Sequence, residues 1–165
     1  MNYLAHAYLS FNDPEILVGN LISDFVKGKK KFDYPPVIRQ GIMLHRFIDT
    51  YTDEHPATKE AKEIFRPHYR LYSGAFVDVV YDHFLARDEN EFTEPSLFDF
   101  SQQVYSMLEN YQPWFPEHFA MMFPLYEKTE LALSLQDHAG NGKKYGGCCP
   151  QGRLSYRKRY SFLFI

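Results

Sequence analysis

Four dipeptides that end in proline divide most of this sequence into helical segments. They are Asp13-Pro14, Pro35-Pro36, His55-Pro56 and Glu94-Pro95, and each precedes apolar residues at helical spacing. Proline fits the first position of a helix, where its missing N–H is not needed. Leu17, Leu21 and Phe25, for example, extend the first helix towards Lys27 and Gly28, while Pro67 should kink or end the third. Strand signals are scarce, so we predict an all-α fold with a single helical domain.

The composition fits such a domain. The chain has 165 residues, of which 45% are hydrophobic and 18% are aromatic, enough for a sizeable core without disulfides. No apolar run has the length of a membrane span, and the amino terminus lacks the parts of a secretion signal. We therefore expect a cytoplasmic protein with no membrane contact. Its overall negative charge argues against a nucleic-acid partner.

Histidine and aspartate residues recur four positions apart on helical stretches that otherwise have an apolar, core-forming composition. His45 with Asp49, Asp49 with Asp53, and Asp78 with Asp82 each lie one turn apart on the same side of a helix. A carboxylate in an apolar interior is costly unless it is paired or binds a cation. The pattern therefore predicts a metal centre, with His83 as a further ligand or a proton donor.

The ligand chemistry narrows the metal and the reaction. Imidazole with carboxylate suits manganese, iron or zinc better than calcium, and open coordination positions favour metal-assisted phosphoester hydrolysis. Asp24 lies among apolar residues and is a further candidate, and His6 is either a ligand or a hydrogen-bonded core residue. A single histidine and aspartate pair on a helix is more often an ordinary surface hydrogen bond. It is the recurrence of such pairs that favours a metal.

The same stretches resemble the acyl carrier protein phosphodiesterase family, also called acyl carrier protein hydrolases. The similar segments fall in the family's order and at similar spacing, and they are Met1-Asn2-Tyr3-Leu4-Ala5-His6, the stretch 19–28 (GNLISDFVKG), the stretch 41–49 (GIMLHRFID) with Thr52-Asp53, and the stretch 78–85 (DVVYDHFL). The resemblance implies a helical fold distantly similar to the HD-type metal phosphohydrolases. It also implies a divalent metal, with manganese favoured, and hydrolysis of the phosphodiester that joins 4′-phosphopantetheine to a serine of acyl carrier protein.

Carried over residue by residue, the resemblance assigns roles to the stretches above. His45, Asp49, Asp82 and His83 are expected to bind metal and activate water, with Asp24 and His6 as further ligands. Among these, His83 is also the expected catalytic acid–base residue. Arg46 is expected to hold the phosphodiester charge. Asp78 and Asp53 are expected to orient histidines through hydrogen bonds.

The implied substrate, a small acidic carrier protein, requires local positive charge on an enzyme that is acidic overall. The densest cluster follows the Asp24 stretch and consists of Lys27, Lys29, Lys30 and Lys31, with Arg39 as an extension. We expect this cluster to bind acyl carrier protein, although lysine runs are more often only solvated loops. The oligomeric state cannot be derived from the sequence.

The sequence changes character after Pro124. Residues 125–165 are glycine-rich and basic and show little apolar periodicity, so we expect a helical hydrolase domain over 1–124 and an atypical tail over 125–165. Alternative codon readings of this tail resemble helices of the family in another frame, which suggests a frameshift. A frameshift in the gene would leave the chain without helices that complete the core, and we would then expect an unstable or inactive protein. A frameshift in the sequencing alone would imply a longer, active protein, and the third interpretation is a disordered tail on an adequate domain.

Two other function classes fit the same residues. A related phosphohydrolase that acts on a nucleotide or another small phosphoester would use the same metal centre without a docking surface. A helical binding module without catalysis would hold no metal. Product analysis with a carrier protein and a set of nucleotides distinguishes all three.

Overall fold

The computed structural model describes residues 2–129, and within them it contains seven α-helices and no strand. The predicted all-α class is confirmed. The helices are α1 (Tyr3–Tyr8), α2 (Pro14–Ile22), α3 (Pro36–Glu54), α4 (Pro56–Tyr69), α5 (Ser73–Arg87), α6 (Glu94–Glu109) and α7 (Glu117–Thr129). Short 3₁₀ helices occupy Ser23–Phe25, Gly28–Asp33, Arg70–Tyr72 and Gln112–Trp114. The predicted tail from residue 130 onward lies outside the described residues.

All four predicted helix starts are confirmed at or beside the prolines. The Asp13 carboxylate accepts hydrogen bonds from the backbone N–H groups of Glu15 and Ile16, both at 3.0 Å, and Pro14 occupies the first helical position. Thr93 and Ser96 form a reciprocal capping box before α6. These caps satisfy N–H groups that have no partner inside the helix, so the local sequence marks where α2 and α6 begin.

Helix α2 ends earlier than expected, and two helices continue through a proline. Helix α2 ends at Ile22 rather than near Lys27, and the next turn tightens to 3₁₀ geometry, in which the Ser23 hydroxyl donates to the Ile42 carbonyl at 3.2 Å. Pro67 lies inside the last turn of α4, and the helix continues past it to Tyr69. Likewise α7 passes through Pro124, at the predicted domain boundary, and reaches Thr129.

Helices α2 and α3 form the centre of the fold and cross at two glycines. A Cβ atom on Gly19 would overlap the Ile38 carbonyl oxygen and come within 2.9 Å of the Gly41 Cα. A Cβ on Gly41 would in turn overlap the Ile16 carbonyl oxygen. Only glycine permits this approach of two backbones. Because Gly41 lies one turn before His45, the crossing also brings His45 close to α2.

Apolar side chains from α2 and α3 form the main core together with residues from α6 and α7. Leu17, Ile22, Ile38 and Ile42 are fully or almost fully buried there, and Leu108, Phe119 and Phe123 close it from the other side. A smaller cluster of Leu4, Ala86, Phe92 and Leu97 packs α1 against α5 and α6. No helix among the described residues is long and apolar enough to cross a membrane.

Candidate metal centre

His6 from α1 and the pair His45 and Asp49 from α3 converge on one point. One ligand atom from each of the three lies within 4.8 Å of the others. The Nε2 atom of His6 is 3.2 Å from one Asp49 oxygen, and the Nε2 atom of His45 is 3.1 Å from the other. The expected pairing of His45 with Asp49 one turn later is confirmed as a contact.

The buried polar network around His6 fixes which ring nitrogen faces this point. Asn20 is fully buried, and its amide nitrogen donates to the backbone carbonyl of His6 at 2.9 Å. A carbonyl only accepts, so the other amide atom, which lies 2.8 Å from the His6 Nδ1, must be the oxygen. The Nδ1 atom of His6 therefore carries a hydrogen and donates to Asn20. In the neutral ring, Nε2 is then left with a free lone pair towards Asp49.

A lone pair that faces a carboxylate oxygen is unfavourable unless a positive charge lies between them. The His6 Nε2 and the Asp49 oxygen are both acceptors in this tautomer, so a proton or a metal ion must join them. Metal-binding histidines usually donate their second N–H to a protein acceptor, as His6 does to Asn20. The network around His6 is therefore of the kind that holds a metal-binding imidazole.

His45 presents the same edge of its ring to the centre. Its Nε2 contacts one oxygen of Asp24 at 3.1 Å in addition to Asp49, so Asp24 borders the three-residue group through His45. Its Nδ1 is buried and has no hydrogen-bond partner in the described part of the chain. The rings of His45 and His6 stack at a centroid distance of 4.1 Å. All polar contacts of His45 therefore lie on the side where the carboxylates are.

The charges of this cluster are strongly coupled. Burial opposes a charge on His45, but its hydrogen bonds to Asp24 and Asp49 outweigh burial and raise its pKa to about 9. Burial also opposes the charge of Asp49, yet the hydrogen bond from His45 and the close contact with the His6 ring hold the pKa of this carboxyl well below its usual range. Without a metal, a proton on His45 thus balances the carboxylates. A divalent cation offers the same compensation with more charge.

One side of the centre is open to solvent. The Asp24 and Asp49 side chains are 47% and 51% exposed, whereas those of His45 and His6 are 3% and 0% exposed. The imidazoles thus lie at the base and the carboxylates at the rim. This arrangement can bind a metal ion on the base while leaving the rim accessible to a substrate.

Two imidazoles and one or two carboxylates form a fitting donor set for a transition metal. These residues could bind a metal ion by composition and by spacing, and the identity of the metal does not follow from them. The predicted ligands His6, His45, Asp49 and Asp24 are brought together by the fold. Their role as ligands stays a prediction.

Asp82 was predicted as a ligand, but it is not part of the three-residue group. Its two oxygens accept hydrogen bonds from the backbone N–H groups of Leu4 and Ala5, at 3.1 and 2.9 Å, in the first turn of α1. Burial raises the pKa of Asp82 to about 6, although the two N–H groups act in the opposite direction. Asp82 thus caps the helix that carries His6, and any contact of Asp82 with metal stays a prediction.

The remaining predicted residues lie around the centre without belonging to that group. His83 is half-buried on α5, with its ring against the edge of Phe84, and Asp78 is half-buried one turn earlier. The Arg46 guanidinium donates to the Val26 carbonyl at 2.7 Å. Asp53, expected to orient a histidine, instead pairs with Lys62 at 2.6 Å. The catalytic roles of His83, Arg46 and Asp78 stay predictions.

The predicted partner-binding residues form one exposed region beside α3. Lys27 directly precedes the 3₁₀ helix Gly28–Asp33, which carries Lys29, Lys30 and Lys31, and Arg39 lies in the first turns of α3. In the described part of the chain, none of these five side chains forms an ion pair with a carboxylate.

The site residue that the sequence analysis missed is Asn20. Asn20 is a polar residue within the apolar run from Leu17 to Ile22, and a buried amide must find hydrogen-bond partners. This position in the sequence could therefore have indicated a buried polar contact. Its partner, His6, lies 14 positions away. Only the packing of α1 against α2 brings the two together.

Comparison with known proteins connects this site to a family. The chain is 42% identical over 120 residues to the acyl carrier protein phosphodiesterase of Yersinia pestis, covering 72% of this chain and 62% of that protein. It is 40% identical over 121 residues to the protein of the same name from Serratia proteamaculans, with the same coverage. The chain thus spans about three fifths of the length of these curated relatives.

No solved structure matches the chain, so the expected likeness to HD-type phosphohydrolases stays a prediction. The family model described as acyl carrier protein phosphodiesterase matches residues 1–146. That range includes all the candidate site residues and extends beyond the expected boundary at Pro124. The chain therefore belongs to the acyl carrier protein phosphodiesterase family.

Proposed function

We propose that this protein is a metal-dependent phosphodiesterase that releases 4′-phosphopantetheine from the serine of acyl carrier protein. Two independent facts support the proposal: the family membership over residues 1–146 and the convergence of His6, His45 and Asp49. The convergence carries most of the weight, because a binding module needs no cluster of imidazoles and carboxylates with an open rim. Metal-assisted hydrolysis does need one.

In this proposal, His6, His45 and Asp49 hold the cation, Asp24 is a fourth ligand, and manganese is the favoured metal. A bound divalent cation supplies Lewis acidity towards a phosphoryl oxygen and lowers the pKa of a water molecule. Asn20 holds the His6 ring in the tautomer that presents Nε2. Asp82 fixes the first turn of α1, so that His6 keeps its position relative to α3.

Other residues complete the proposed site. Arg46 follows His45 directly on α3 and its guanidinium is held by the Val26 carbonyl, which leaves its remaining N–H groups for an anion. Arg46 is therefore the proposed contact for the phosphodiester charge. His83 on α5 is the proposed acid–base residue, and Asp78, five positions earlier on the same helix, is proposed to orient a histidine.

Incubation of the purified protein with manganese and holo acyl carrier protein tests the proposal, with product masses followed over time. We expect loss of the phosphopantetheine mass from the carrier protein and no turnover of a parallel set of nucleotides. The His45→Ala change should lower the rate by more than about 100-fold, because even residues that only support a metal ligand typically cost about 10–100-fold. The exposed His118 on α7 provides the matched control, His118→Ala.

Absence of phosphopantetheine release from the wild-type protein with manganese would contradict the proposal. Equal rates for His45→Ala and His118→Ala would contradict it as well. Release of phosphate from a nucleotide instead of the carrier protein would identify the alternative phosphohydrolase.

A further inference from the structure

The row of side chains on α3 that contributes to the metal centre continues beyond it. His45, Asp49 and Asp53 follow one another at intervals of four residues and therefore share one side of the helix. His45 and Asp49 belong to the metal centre, whereas Asp53 accepts a hydrogen bond from the Lys62 ammonium at 2.6 Å. Lys62 lies on α4, so the fold brings a cation from another helix to the end of this row.

A second row of residues, on α5, extends between the same two points. Gly74, Asp78 and Asp82 also lie four residues apart on one side of their helix. At one end, Asp82 holds the first turn of α1, which carries His6 to the metal centre. At the other end, a Cβ atom on Gly74 would lie 3.4 Å from the Cε atom of Lys62 and 3.8 Å from its Nζ atom. The two rows therefore face each other, with the metal centre at one end and Lys62 at the other.

The side chain of Lys62 is held in place by its neighbours. It is 23% exposed, whereas the side chain of its partner Asp53 is 63% exposed. The missing side chain of Gly74 leaves room for the methylene groups of Lys62 against α5. An ion pair with a carboxylate as exposed as that of Asp53 contributes only about 0–1 kcal/mol to stability. Stability is therefore a weak reason for a lysine at this position.

The surroundings of Lys62 are acidic. Asp24 and Asp49 lie at the rim of the metal centre, and Asp53 and Asp78 lie in the two rows. These carboxylates repel an anionic substrate, so a positive charge is needed where a phosphate group approaches the centre. An ammonium group has three N–H donors, and in the described part of the chain Asp53 accepts only one of those of Lys62. Two donors are therefore left for phosphoryl oxygens.

The position of the ammonium suits a contact with a phosphate group. Asp53 follows Asp49 by four residues, a rise of about 6 Å along the helix axis, and the Lys62 nitrogen is 2.6 Å from Asp53. A phosphate group can therefore contact the metal centre and the ammonium at the same time. We propose that Lys62, positioned by Asp53, binds the phosphate group of the substrate beside the metal centre, together with Arg46. This proposal rests on the proposed function, because that function supplies the phosphate ester.

Binding of phenyl phosphate to the manganese-loaded protein tests this proposal without acyl carrier protein. Phenyl phosphate is a monoester, as is the expected product 4′-phosphopantetheine. With protein in excess over manganese, the relaxation of the phosphorus nucleus by the bound ion measures the affinity and shows that the phosphate lies close to the metal. We expect Lys62→Met to weaken this affinity about tenfold, as for the loss of a hydrogen bond from a charged group, and Lys62→Arg to keep it within about threefold.

Two further variants distinguish a phosphate contact from a structural ion pair. Lys59→Met is the matched control, because it removes an exposed lysine from the same helix, and its affinity should equal that of the wild type. Asp53→Asn removes a negative charge beside Lys62 but keeps an oxygen that accepts its hydrogen bond. We therefore expect Asp53→Asn to retain or increase the affinity for phenyl phosphate, in contrast to Lys62→Met.

Thermal unfolding and manganese titration of each variant verify that the fold and the metal centre persist, and Lys62→Gln provides a second neutral variant. Equal affinities for Lys62→Met and Lys59→Met would overturn the proposal, as would no phosphorus relaxation with the wild type. A parallel loss in Lys62→Met and Asp53→Asn would overturn it in favour of a structural ion pair. A loss in Lys62→Met alone, in a protein that releases no phosphopantetheine from the carrier protein, would instead retain Lys62 as a phosphate contact and refute the proposed function.

Discussion

We predict that the buried amide of Asn20 determines whether His6 can bind a metal, and Asn20→Leu removes this amide while keeping the same branched arrangement of heavy atoms. The leucine offers no acceptor, so the His6 Nδ1 loses its 2.8 Å partner. The ring is then no longer held in the tautomer that presents Nε2 towards Asp49. The backbone carbonyl of His6 keeps one donor, since the Ser10 hydroxyl also donates to it at 2.8 Å.

The expected magnitudes follow from these contacts. Loss of a hydrogen-bonded residue behind a metal-binding histidine typically lowers metal affinity by about 10–100-fold. The unpaired Nδ1 in a fully buried position should lower the free energy of unfolding by about 1–3 kcal/mol. Ser10→Ala is the control, because it removes the donor at 2.8 Å from the same carbonyl and one acceptor of the Asn20 amide nitrogen, but leaves the Asn20 oxygen in contact with the His6 Nδ1.

Manganese affinity by isothermal titration and unfolding by urea separate the two effects. We expect Asn20→Leu to lose both affinity and stability, and Ser10→Ala to lose stability of about 1 kcal/mol with metal affinity within about twofold of the wild type. Wild-type metal affinity in Asn20→Leu would refute the argument that the amide fixes the tautomer. A parallel loss of affinity in Ser10→Ala would show that general loosening of α1, not the tautomer, controls the site.

Three further predictions concern packing and charge. Gly41→Ala places a methyl group against the Ile16 carbonyl and should destabilise the fold by about 1–3 kcal/mol or more. Gly74→Ala should not destabilise it, because the nearest neighbour of the new methyl group would be the Lys62 side chain at 3.4 Å. Urea unfolding of both variants tests the difference. The pKa of Asp82 rises from 3.8 to about 6 on folding, so its contribution to stability is greatest at low pH and falls as pH rises through about 6. Between pH 4 and pH 7, the free energy of unfolding of the wild type should therefore fall by about 2–3 kcal/mol relative to that of Asp82→Asn. A difference between the two proteins that stays constant with pH would contradict this. Because the pKa of His45 is raised to about 9, a proton competes with a metal ion for its Nε2 atom below this pH. Manganese affinity should therefore increase about tenfold per pH unit from pH 6 to pH 8. An affinity that does not change over this range would exclude His45 as a ligand.

Local signals in the sequence were sufficient to predict that the fold is helical and where several of its helices begin. Prolines and capping side chains act within one turn, so the starts of α2, α3, α4 and α6 could be placed without tertiary information. The ends were harder to place. The short 3₁₀ turn after Ile22 depends on a contact between Ser23 and α3, and a proline in a last turn does not stop a helix.

For the site, the spacing of residues along one helix could be used to predict contacts, whereas contacts between helices could not be predicted from the sequence. The pairing of His45 with Asp49 follows from the helical repeat, whereas the meeting of His6 with Asp49 depends on the packing of α1 against α2 and α3. Asp82 shows the limit of the argument. A buried carboxylate requires compensation, but the sequence alone could not show that the backbone N–H groups of Leu4 and Ala5 donate to both oxygens of Asp82.

The account depends on a single cation held jointly by α1 and α3. Anomalous scattering from a crystal grown with manganese tests this directly. The account predicts one peak at bonding distance from the Nε2 atoms of His6 and His45 and from a carboxylate oxygen of Asp49. A peak elsewhere, such as between Asp82 and His83, or no peak at saturating manganese, would contradict it.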